Sequence, residues 1–538
     1  MHRLSSVSVA LQAGDHDVAT TACTALVAAR SKGSVSLLDY GAGNVRSVRN
    51  AIRACGYDVV DIVQPGDILK ADKLVFPGVG SFGFCMQRLT EGGFVEPLKQ
   101  YIAEDRPLLG VCLGMQLFFE GSEETPGVAG LGVIPGMVTR FSDPNVAVPH
   151  MGWNGTRTVR PGTSTLFDGI TPADKLYFVH SFRASLSEAN SDWVLAMTDY
   201  GDSDQTFVAA VHKGNVMATQ FHPEKSGAIG LKMLGNFLDA SAIVSPPPVV
   251  ISAGLHRPTA SNRTELARRV IACLDVRSND AGDLVVTKGD QYDVREKDGD
   301  NAVRNLGKPV ELAGRYYREG ADEVIFLNIT AFRDTPIDDM PMQEVLQRAS
   351  EGVFVPLCIG GGIRDYTDSN GTAYAAVDVA SSYFRSGADK VSLGSDAVLI
   401  AEAYHQSGGQ KDGTTAVETI SHRYGAQAVV ISTDPKRQYL ADATPPGGYG
   451  PSGNGLPPPT VVAMSSPADY GPNGEQFAWY ACTIKGGRET RPLDAIGLAT
   501  ACEALGAGEI LLNCIDKDGT NSVSTLFARA KVQGPPSQ

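Results

Sequence analysis

Short apolar runs alternate with glycine turns and amphipathic segments from Val35 to about Leu238, as in SVSLLDYGAGNVRSVRNAI and KLVFPGVGSFG. This alternation predicts an α/β domain over residues 35–241. The next segment, SPPPVVISAGLHRPTASN, predicts a linker at about 242–264, because its prolines cannot lie inside a helix or a central strand. Residues 1–34 are rich in Ser, Ala, Thr and Val and lack such elements. We expect this leader to be either a plastid or mitochondrial transit peptide or a disordered tail.

The second half, residues 265–538, carries an internal repeat. A Gly-Ala turn opens an aliphatic run at Gly320, Gly387, Gly425 and Gly506, as expected where a helix ends and a buried parallel strand follows. Together with VIACLDV and VFVPLCIGGG, these runs predict six strands, which begin near 270, 323, 353, 389, 428 and 509. A Gly/Pro-rich insert at about 441–476 separates the last two strands. Successive βα units of this kind predict a (β/α)8-type barrel.

The end of the chain is short for such a barrel. Only 20 residues follow Asp518, whereas a further βα unit needs about 30 residues. We therefore expect the barrel to lack its last two strands. The predicted architecture is an N-terminal α/β domain followed by an incomplete (β/α)8-type barrel.

Composition argues against several classes of function. The 538 residues include 46 Lys and Arg against 60 Asp and Glu, a net charge of −14, and no long stretch is strongly basic, which disfavours nucleic acid as a partner. No apolar run approaches the roughly 18 residues of a membrane-spanning helix. The nine cysteines form no CxxC pair, which argues against a disulfide framework and a structural zinc site. We expect a soluble protein in a reducing compartment, with no metal and no cofactor.

Cys112 is the first candidate for catalysis. It lies between Gly110 and Gly114 in PLLGVCLGMQLFFE, where an apolar strand runs into an amphipathic helix. The small residues permit a strained turn and the start of a helix favours a thiolate, so the pattern predicts a nucleophile elbow with Cys in place of Ser. The alternative is a buried structural thiol, because Cys is among the most buried residue types.

A second motif supplies partners for such a nucleophile. VMATQFHPEKSG places His222 and Glu224 just after a predicted strand, with Pro223 restraining the turn. The pair could act as a base and its orienting group, whereas His222 alone would be a surface-turn histidine. Backbone N–H groups near Cys112 could bind an oxyanion, namely those of Gly78, Val79 and Gly80 in FPGVGSFG and that of Leu113.

These motifs resemble the class I glutamine amidotransferases, and most closely the glutaminase half of the imidazole glycerol phosphate synthases. LLDYGAGNVRSVRNAI, VFPGVGSFG, VPHMGWN, YFVHSF and ATQFHPEKSG follow in that family's order over about 35–240. The resemblance implies a glutamyl thioester at Cys112, His222 as general base and acid, and Glu224 as its partner. It also implies glutamine contacts at Gln116, Ser181 and Phe182. A further segment would face the synthase half, through His150, Met151, Trp153 and Asn154.

In the second half, two aspartates end apolar strands. Asp275 in VIACLDV and Asp434 in AVVISTDPKR fall at the carboxyl ends of predicted strands one and five, where a barrel has its catalytic face. Such a pair could divide the roles of general acid and general base, although Asp is also a common helix N-cap. Two glycine turns could bind phosphate, through Gly360, Gly361 and Gly362 after strand three and through Gly394 and Ser395 after strand four.

Four charged residues lie at the opposite ends of the strands. They are Arg269, Glu323, Lys390 and Glu509. From position alone they could be ordinary ion pairs at strand starts.

The motifs from 265 to 520, among them IGGGIRD, GADKVSLGSDAV and LLNCIDKDGT, resemble the cyclase half of the same family. The resemblance implies that Asp275 and Asp434 are the acid/base pair and that the four charges form a gate for ammonia. The family's substrates are glutamine and a bis-phosphorylated ribulosyl aminoimidazole carboxamide. Its products are imidazole glycerol phosphate, for histidine synthesis, and an aminoimidazole carboxamide ribotide.

Three hypotheses therefore stay open at the level of sequence. The first is a bifunctional synthase with an intramolecular domain interface. The second is a glutaminase-competent but cyclase-dead regulatory or degenerate product, which the short barrel favours. The third is a glutaminase that serves a different synthase. The leader favours the plastid stroma, and the cytoplasm is the alternative location.

Overall fold

A computed structural model describes residues 31–240, except 42, 79 and 202–204, and residues 263–516, except 288–304, 330–336, 338–339, 465 and 514. Most of the predicted leader and linker lies outside these described residues, as does Val79. The expectation that the last two barrel strands are absent falls on residues 517–538, which are also outside them. That expectation stays a prediction.

The first half is built on a mixed eight-stranded sheet, ordered β2-β1-β3-β4-β13-β12-β11-β8, in which β1–β4 and β13 are parallel. Two small sheets, β10-β6-β5 and β7-β9, lie beside it. The strands are β1 (Ser34–Leu38), β2 (Asp58–Ile62), β3 (Leu74–Gly78), β4 (Leu108–Cys112), β5 (Phe119–Ser122), β6 (Ile134–Arg140), β7 (His150–Asn154), β8 (Arg157–Thr158), β9 (Leu176–His180), β10 (Phe182–Ala184), β11 (Val194–Thr198), β12 (Phe207–Lys213) and β13 (Val216–Thr219). The helices are α1 (Val45–Ala54), α2 (Pro65–Ile68), α3 (Phe82–Glu91), α4 (Val95–Ala103), α5 (Leu113–Gln116) and α6 (Gly227–Asp239).

The second half is built on a seven-stranded sheet, ordered β15-β14-β16-β17-β20-β21-β26. The strands are β14 (Ile271–Ser278), β15 (Leu284–Thr287), β16 (Glu323–Asn328), β17 (Leu357–Gly360), β18 (Tyr366–Thr367), β19 (Ala373–Tyr374), β20 (Lys390–Leu393), β21 (Val429–Thr433), β22 (Lys436–Leu440), β23 (Val462–Ala463), β24 (Phe477–Ile484), β25 (Glu489–Asp494) and β26 (Glu509–Leu512). The helices are α7 (Pro309–Arg318), α8 (Pro341–Ala349), α9 (Ala376–Ser386), α10 (Ser395–Gln406), α11 (Ala416–Tyr424) and α12 (Ala495–Leu505).

The six predicted strands of the second half are all present, as β14, β16, β17, β20, β21 and β26, and they pair in parallel in chain order. Helices follow them as in a (β/α) barrel, and the sheet does not close among the described residues. Strand three begins at Leu357 rather than near 353, because the carbonyl of Phe354 accepts a hydrogen bond from the first half instead of joining the sheet. The expected fold class, an α/β domain followed by a barrel-type domain of successive βα units, is confirmed, and the loss of the last two strands is not tested.

Antiparallel additions interrupt this regular pattern. β14 continues past Asp275 and forms a hairpin with β15, so this aspartate lies within its strand and not at its end. β22, β23, β24 and β25 form a separate antiparallel sheet between β21 and α12, and β23 lies inside the segment predicted as an insert. β22 and β23 were not expected because they pair with a distant strand, whereas β24 and β25 are joined by a short turn at Gly486 and Gly487 that the sequence does signal.

The two halves contact each other through buried polar groups as well as apolar surface. The amide nitrogen of Asn44 donates to the carbonyl oxygen of Gly387 at 2.9 Å and to Asp389 Oδ1 at 2.8 Å. The amide nitrogen of Asn50 donates to the carbonyl oxygen of Ser350 at 2.9 Å. Because such buried groups are costly to leave unpaired, these bonds fix how the halves are docked. Within the described ranges, no helix is both long and apolar enough to cross a membrane.

Candidate active site

Cys112 lies at a strained turn between β4 and α5. Its φ is +53° and its ψ is −107°, a backbone conformation that residues other than glycine rarely adopt. The two neighbouring glycines make the turn possible, since a Cβ at Gly114 would overlap the carbonyl oxygen of Phe76 and one at Gly110 would lie 3.0 Å from Ala218 Cβ. The expected amphipathic helix is only four residues long, because β5 begins at Phe119. The turn is therefore as expected, but the helix is too short to be a major source of thiolate stabilisation.

His222 and Glu224 form a buried hydrogen-bonded pair. His222 Nδ1 is 2.8 Å from Glu224 Oε1, and the two side chains are 8% and 5% exposed. Burial alone would lower the pKa of His222, but the charge of Cys112, then that of Glu224, and hydrogen bonds to both outweigh it and raise the pKa well above its ordinary value. The imidazole therefore favours its protonated form beside the sulfur.

A single cavity collects the predicted glutaminase residues. Those that line it are Gly78, Gly80, Cys112, Leu113, Gln116, Ser181, Phe182 and His222. Glu224 lies behind the imidazole and does not line the cavity. Gly80 has a φ of +126°, and a Cβ at Gly78 would overlap the backbone of Leu113 and Gly114, so this loop packs directly on the elbow.

The second half closes the same cavity. Its contribution comes from Asp389, Lys390, Tyr424, Gln427 and Ala428. Lys225 Nζ lies 2.6 Å from Asp389 Oδ2 and joins the two halves at the wall of the cavity. The cavity is therefore shared by both halves.

Arg269, Glu323, Lys390 and Glu509 form a closed ring of ion pairs at the amino ends of the barrel strands. Arg269 contacts Glu323 at 3.0 Å and Glu509 at 2.5 Å. Lys390 contacts Glu509 at 2.7 Å and also pairs with Glu323. Burial opposes the charge on Lys390, but the two carboxylates raise its pKa well above the ordinary value. Since Lys390 also lines the cavity, this charge ring lies directly between the cavity and the barrel.

The two aspartates lie on the carboxyl-terminal side of the barrel sheet. Asp275 pairs with Leu327 within β14 and β16, and Asp434 directly follows β21. Asn513 Nδ2 donates to Asp434 Oδ1 at 3.1 Å, and the hydroxyl of Thr483 donates to the carbonyl oxygen of Asp434 at 2.6 Å. Neither aspartate caps a helix, so the alternative role considered from the sequence is wrong.

The two glycine turns lie at the same end of the sheet. Gly360 ends β17, and Gly361 and Gly362 have φ values of +95° and +76°. Gly394 precedes α10, whose first residue, Ser395, accepts a hydrogen bond from the backbone nitrogen of Lys485 at 3.0 Å. Both turns thus have the position expected of phosphate sites, and that role stays a prediction. In the part of the chain that the structure describes, no three His, Cys, Asp or Glu side chains are grouped to hold a metal ion.

Comparison with known proteins connects the two halves. A model of class I glutamine amidotransferases matches residues 36–241, and a model of histidine biosynthesis proteins matches residues 269–530. The imidazole glycerol phosphate synthase hisHF of Schizosaccharomyces pombe is 53% identical over 492 residues, which cover 91% of this chain and 86% of that one. The chain belongs to the imidazole glycerol phosphate synthase hisHF family.

Two further family members are similarly related. The chloroplastic hisHF synthase of Arabidopsis thaliana is 52% identical over 90% of this chain and 77% of its own, and that of Emericella nidulans is 51% identical over 91% and 86%. The family predicted from the motifs is thus confirmed, as is the expectation that the chain is an enzyme. The comparisons do not support a cyclase-dead product, because the similarity to hisHF synthases extends through the second half.

Sequence reasoning missed several residues of the candidate site. Lys225 and Gln220 lie within the quoted ATQFHPEKSG motif, and Asp389 lies within GADKVSLGS, but nothing local indicates that they contact other segments. Glu124 lines the cavity, accepts a hydrogen bond from the backbone nitrogen of Phe82 at 2.8 Å, and has its pKa raised by burial. The signal that could have found Lys225 is its position directly after Glu224 in the ATQFHPEKSG motif.

Proposed function

We propose that this chain is a bifunctional synthase of histidine biosynthesis that hydrolyses glutamine at Cys112 and passes the ammonia to its own second half. The barrel would convert a bis-phosphorylated ribulosyl aminoimidazole carboxamide into imidazole glycerol phosphate and an aminoimidazole carboxamide ribotide. The observation that carries the proposal is the cavity shared by the two halves, in which Lys390 belongs to both the cavity wall and the charge ring.

In the glutaminase half, His222 would take the proton of Cys112, with Glu224 holding the imidazole. The thiolate would attack the side-chain carbonyl carbon of glutamine, and backbone N–H groups of the Gly78–Gly80 segment and Leu113 would stabilise the oxyanion. Collapse breaks the C–N bond, and His222 returns its proton to the departing ammonia. Water then attacks the thioester with His222 as base, which releases glutamate and restores the thiol.

Ammonia would leave the cavity past Lys390 and the charge ring. An apolar layer of Ile325, Cys358 and Val430 adjoins that ring, since Cys358 pairs with Lys390 and Val430 pairs with Glu509 on neighbouring strands. Neutral ammonia crosses such a layer more easily than ammonium does, because burying a charge without a partner is costly. The layer would therefore keep the nitrogen unprotonated on its way to the carboxyl-terminal face.

At that face, Asp275 and Asp434 would act as general acid and base in cyclisation, and the two glycine turns would bind the phosphates of the substrate. Support comes from their position at one end of the sheet and from the hydrogen bond between Asn513 and Asp434. We also infer a division into a glutaminase domain at 35–241, a linker at 242–264 and a cyclase domain at 265–538.

Two single substitutions test the proposal in the full chain. Cys112→Ala should abolish glutamine-dependent synthesis but leave synthesis from ammonium salt intact, because ammonia bypasses the thiol. Asp434→Asn should abolish synthesis from either nitrogen source while glutamine hydrolysis continues. Glutamate and imidazole product are measured separately. Persistent glutamate formation by Cys112→Ala, or no product from the unchanged chain with ammonium salt, would contradict the proposal.

We further infer a plastid location. The Arabidopsis relative is described as chloroplastic, and residues 1–34 have a Ser- and Ala-rich composition. A fluorescent fusion to the carboxyl end of the full chain should enter the plastid, and uniform cytoplasmic fluorescence would support the alternative.

A further inference from the structure

Two buried histidines take no part in the proposed chemistry: His180 lines the candidate glutamine cavity, and His150 lies behind it. His150 and His180 are 0% and 3% exposed and belong to the paired strands β7 and β9. His150 Nδ1 is 3.1 Å from His180 Nε2. Four aromatic rings enclose the pair, those of Phe141, Phe178, Tyr200 and Phe207.

The neighbours of this pair fix which nitrogens carry protons. His180 Nδ1 is 2.8 Å from the carbonyl oxygen of Phe182, which can only accept, so Nδ1 must be the donor. Burial lowers the pKa of His180 to about 3; the hydrogen bond to Phe182 opposes this, and the charges of His222 and Arg183 lower the pKa slightly further, so the ring is neutral and Nε2 accepts. His150 must then donate through Nδ1. Burial, and then His180, lower the pKa of His150 well below its usual value, so its Nε2 is an acceptor as well.

Asn154 completes the chain at its far end. Its side-chain oxygen accepts from the backbone nitrogen of Gly155 at 2.8 Å, and its Nδ2 donates to the carbonyl oxygen of Asp199 at 2.9 Å. The same Nδ2 lies 3.3 Å from His150 Nε2. Donation therefore runs in one direction, from Asn154 through both imidazoles to Phe182, and each polar group of this buried path is used.

The path continues to the sulfur of Cys112. The carbonyl oxygen of Phe182 also accepts from Gln116 Nε2 at 2.9 Å, and the same nitrogen donates to Gln220 Oε1 at 3.0 Å. Gln220 Nε2 in turn donates to Cys112 Sγ, with 3.5 Å between nitrogen and sulfur. Gln116, Phe182 and Cys112 all line the cavity, so the orientation of the glutamine site depends on a carbonyl that His180 holds.

We propose that His180, supported by His150 and Asn154, is a positioning residue for glutamine binding, because it fixes the Phe182 carbonyl and through it the side chain of Gln116. This inference rests on the proposed glutaminase activity. The opposite face of β7 contacts the second half, where Trp153 Nε1 donates to the carbonyl oxygen of Asp322 at 3.3 Å and Met151 Sδ lies 3.8 Å from Lys390 Nζ. β7, which carries His150 and Asn154 of this hydrogen-bond relay from Asn154 to Phe182, is thus also in contact with the barrel.

Paired amide substitutions test the relay in the full chain. The side-chain nitrogen of Asn can take the place of Nδ1 in a histidine, whereas that of Gln takes the place of Nε2. His180→Gln, which loses the donor to Phe182, should raise KM for glutamine about tenfold, as expected for one lost hydrogen bond, with a smaller change in kcat. His180→Asn keeps that donor and should raise KM less than about threefold. Synthesis from ammonium salt should be unchanged in both.

If His180 only stabilised the fold, the two variants would not differ in KM at equal stability. Their thermal unfolding midpoints are therefore compared as well. If His180→Gln does not fold, His150→Gln and His150→Asn repeat the comparison one step further away, since only the latter can still donate to His180. An equal KM in the Gln and Asn variants would overturn the proposal. So would nitrogen NMR of labelled histidine that shows the proton of His180 on Nε2. If the unchanged chain forms no glutamate, the proposed function fails, whereas the NMR measurement still decides on the relay.

Discussion

Replacing Lys390 with Met should destabilise the barrel selectively. The Lys390 and Glu323 side chains are each 1% exposed and Glu509 is 14% exposed, so removal of the ammonium leaves two buried carboxylates that share the single guanidinium of Arg269. Breaking a buried ion pair from one side costs about 3–5 kcal/mol, because the remaining charge stays desolvated without its partner. We take about 3 kcal/mol, since Arg269 still contacts both carboxylates.

Hydrogen exchange followed by mass spectrometry measures this loss where it occurs. A cost of about 3 kcal/mol corresponds to roughly a hundredfold loss of protection in peptides that cover β16, β20 and β26. Peptides from β1 to β4 should keep their protection, because they lie in the first half. Lys485→Met is the matched control: it removes a surface pair with Glu489 in which Lys485 is 68% exposed, and it should change protection less than about fivefold.

The double variant Lys390→Met with Glu323→Gln decides whether charge imbalance is the cause. It leaves one cation facing one anion, Arg269 with Glu509, and should recover most of the lost protection. If the double variant is as unprotected as Lys390→Met, the loss comes from packing and not from the unpaired carboxylate. If Lys390→Met is as protected as the unchanged chain, the ring contributes little to stability and the argument is refuted.

Two further outcomes are expected. Asp389→Asn removes the ion pair with Lys225 at the cavity wall. Less product should form per glutamate released, because ammonia escapes at the loosened interface, while synthesis from ammonium salt is unaffected. An unchanged ratio of product to glutamate would show that this pair does not seal the interface. Burial raises the pKa of Glu509, but Lys390 and Arg269 outweigh it and lower the pKa to about 2, so its stabilisation is present above about pH 4.5 and is lost as pH falls toward 2. Protection of β26, corrected for intrinsic exchange, should fall over that range, and Glu509→Gln should remove the slope.

The sequence was most informative where function and fold are encoded in short segments. Cys112 with its flanking glycines could be predicted because a strained strand-to-helix turn needs small neighbours, and the structure has φ at +53° there. Four of the six parallel strands of the second half could be predicted because each is an aliphatic run that follows a Gly-Ala turn. The pairing of β22 with β24 could not, since it depends on which distant segments meet, whereas the hairpins of β14 with β15 and of β24 with β25 have short turns, NDAGD and KGGR, that could have indicated them.

The contacts that were missed share one property: their partners lie far away in the chain. Lys225 meets Asp389 across 164 positions, and His150 meets His180 across 30, so no motif contains both members of either pair. A motif can identify a base and its orienting group when a single residue separates them, as with His222 and Glu224. It cannot show that the carbonyl oxygen of Phe182 accepts from both His180 and Gln116, because that follows only from which acceptor each donor reaches. The chemistry could therefore be predicted from the sequence, whereas the hydrogen bonds and ion pairs that align it with the barrel are visible only in the structure.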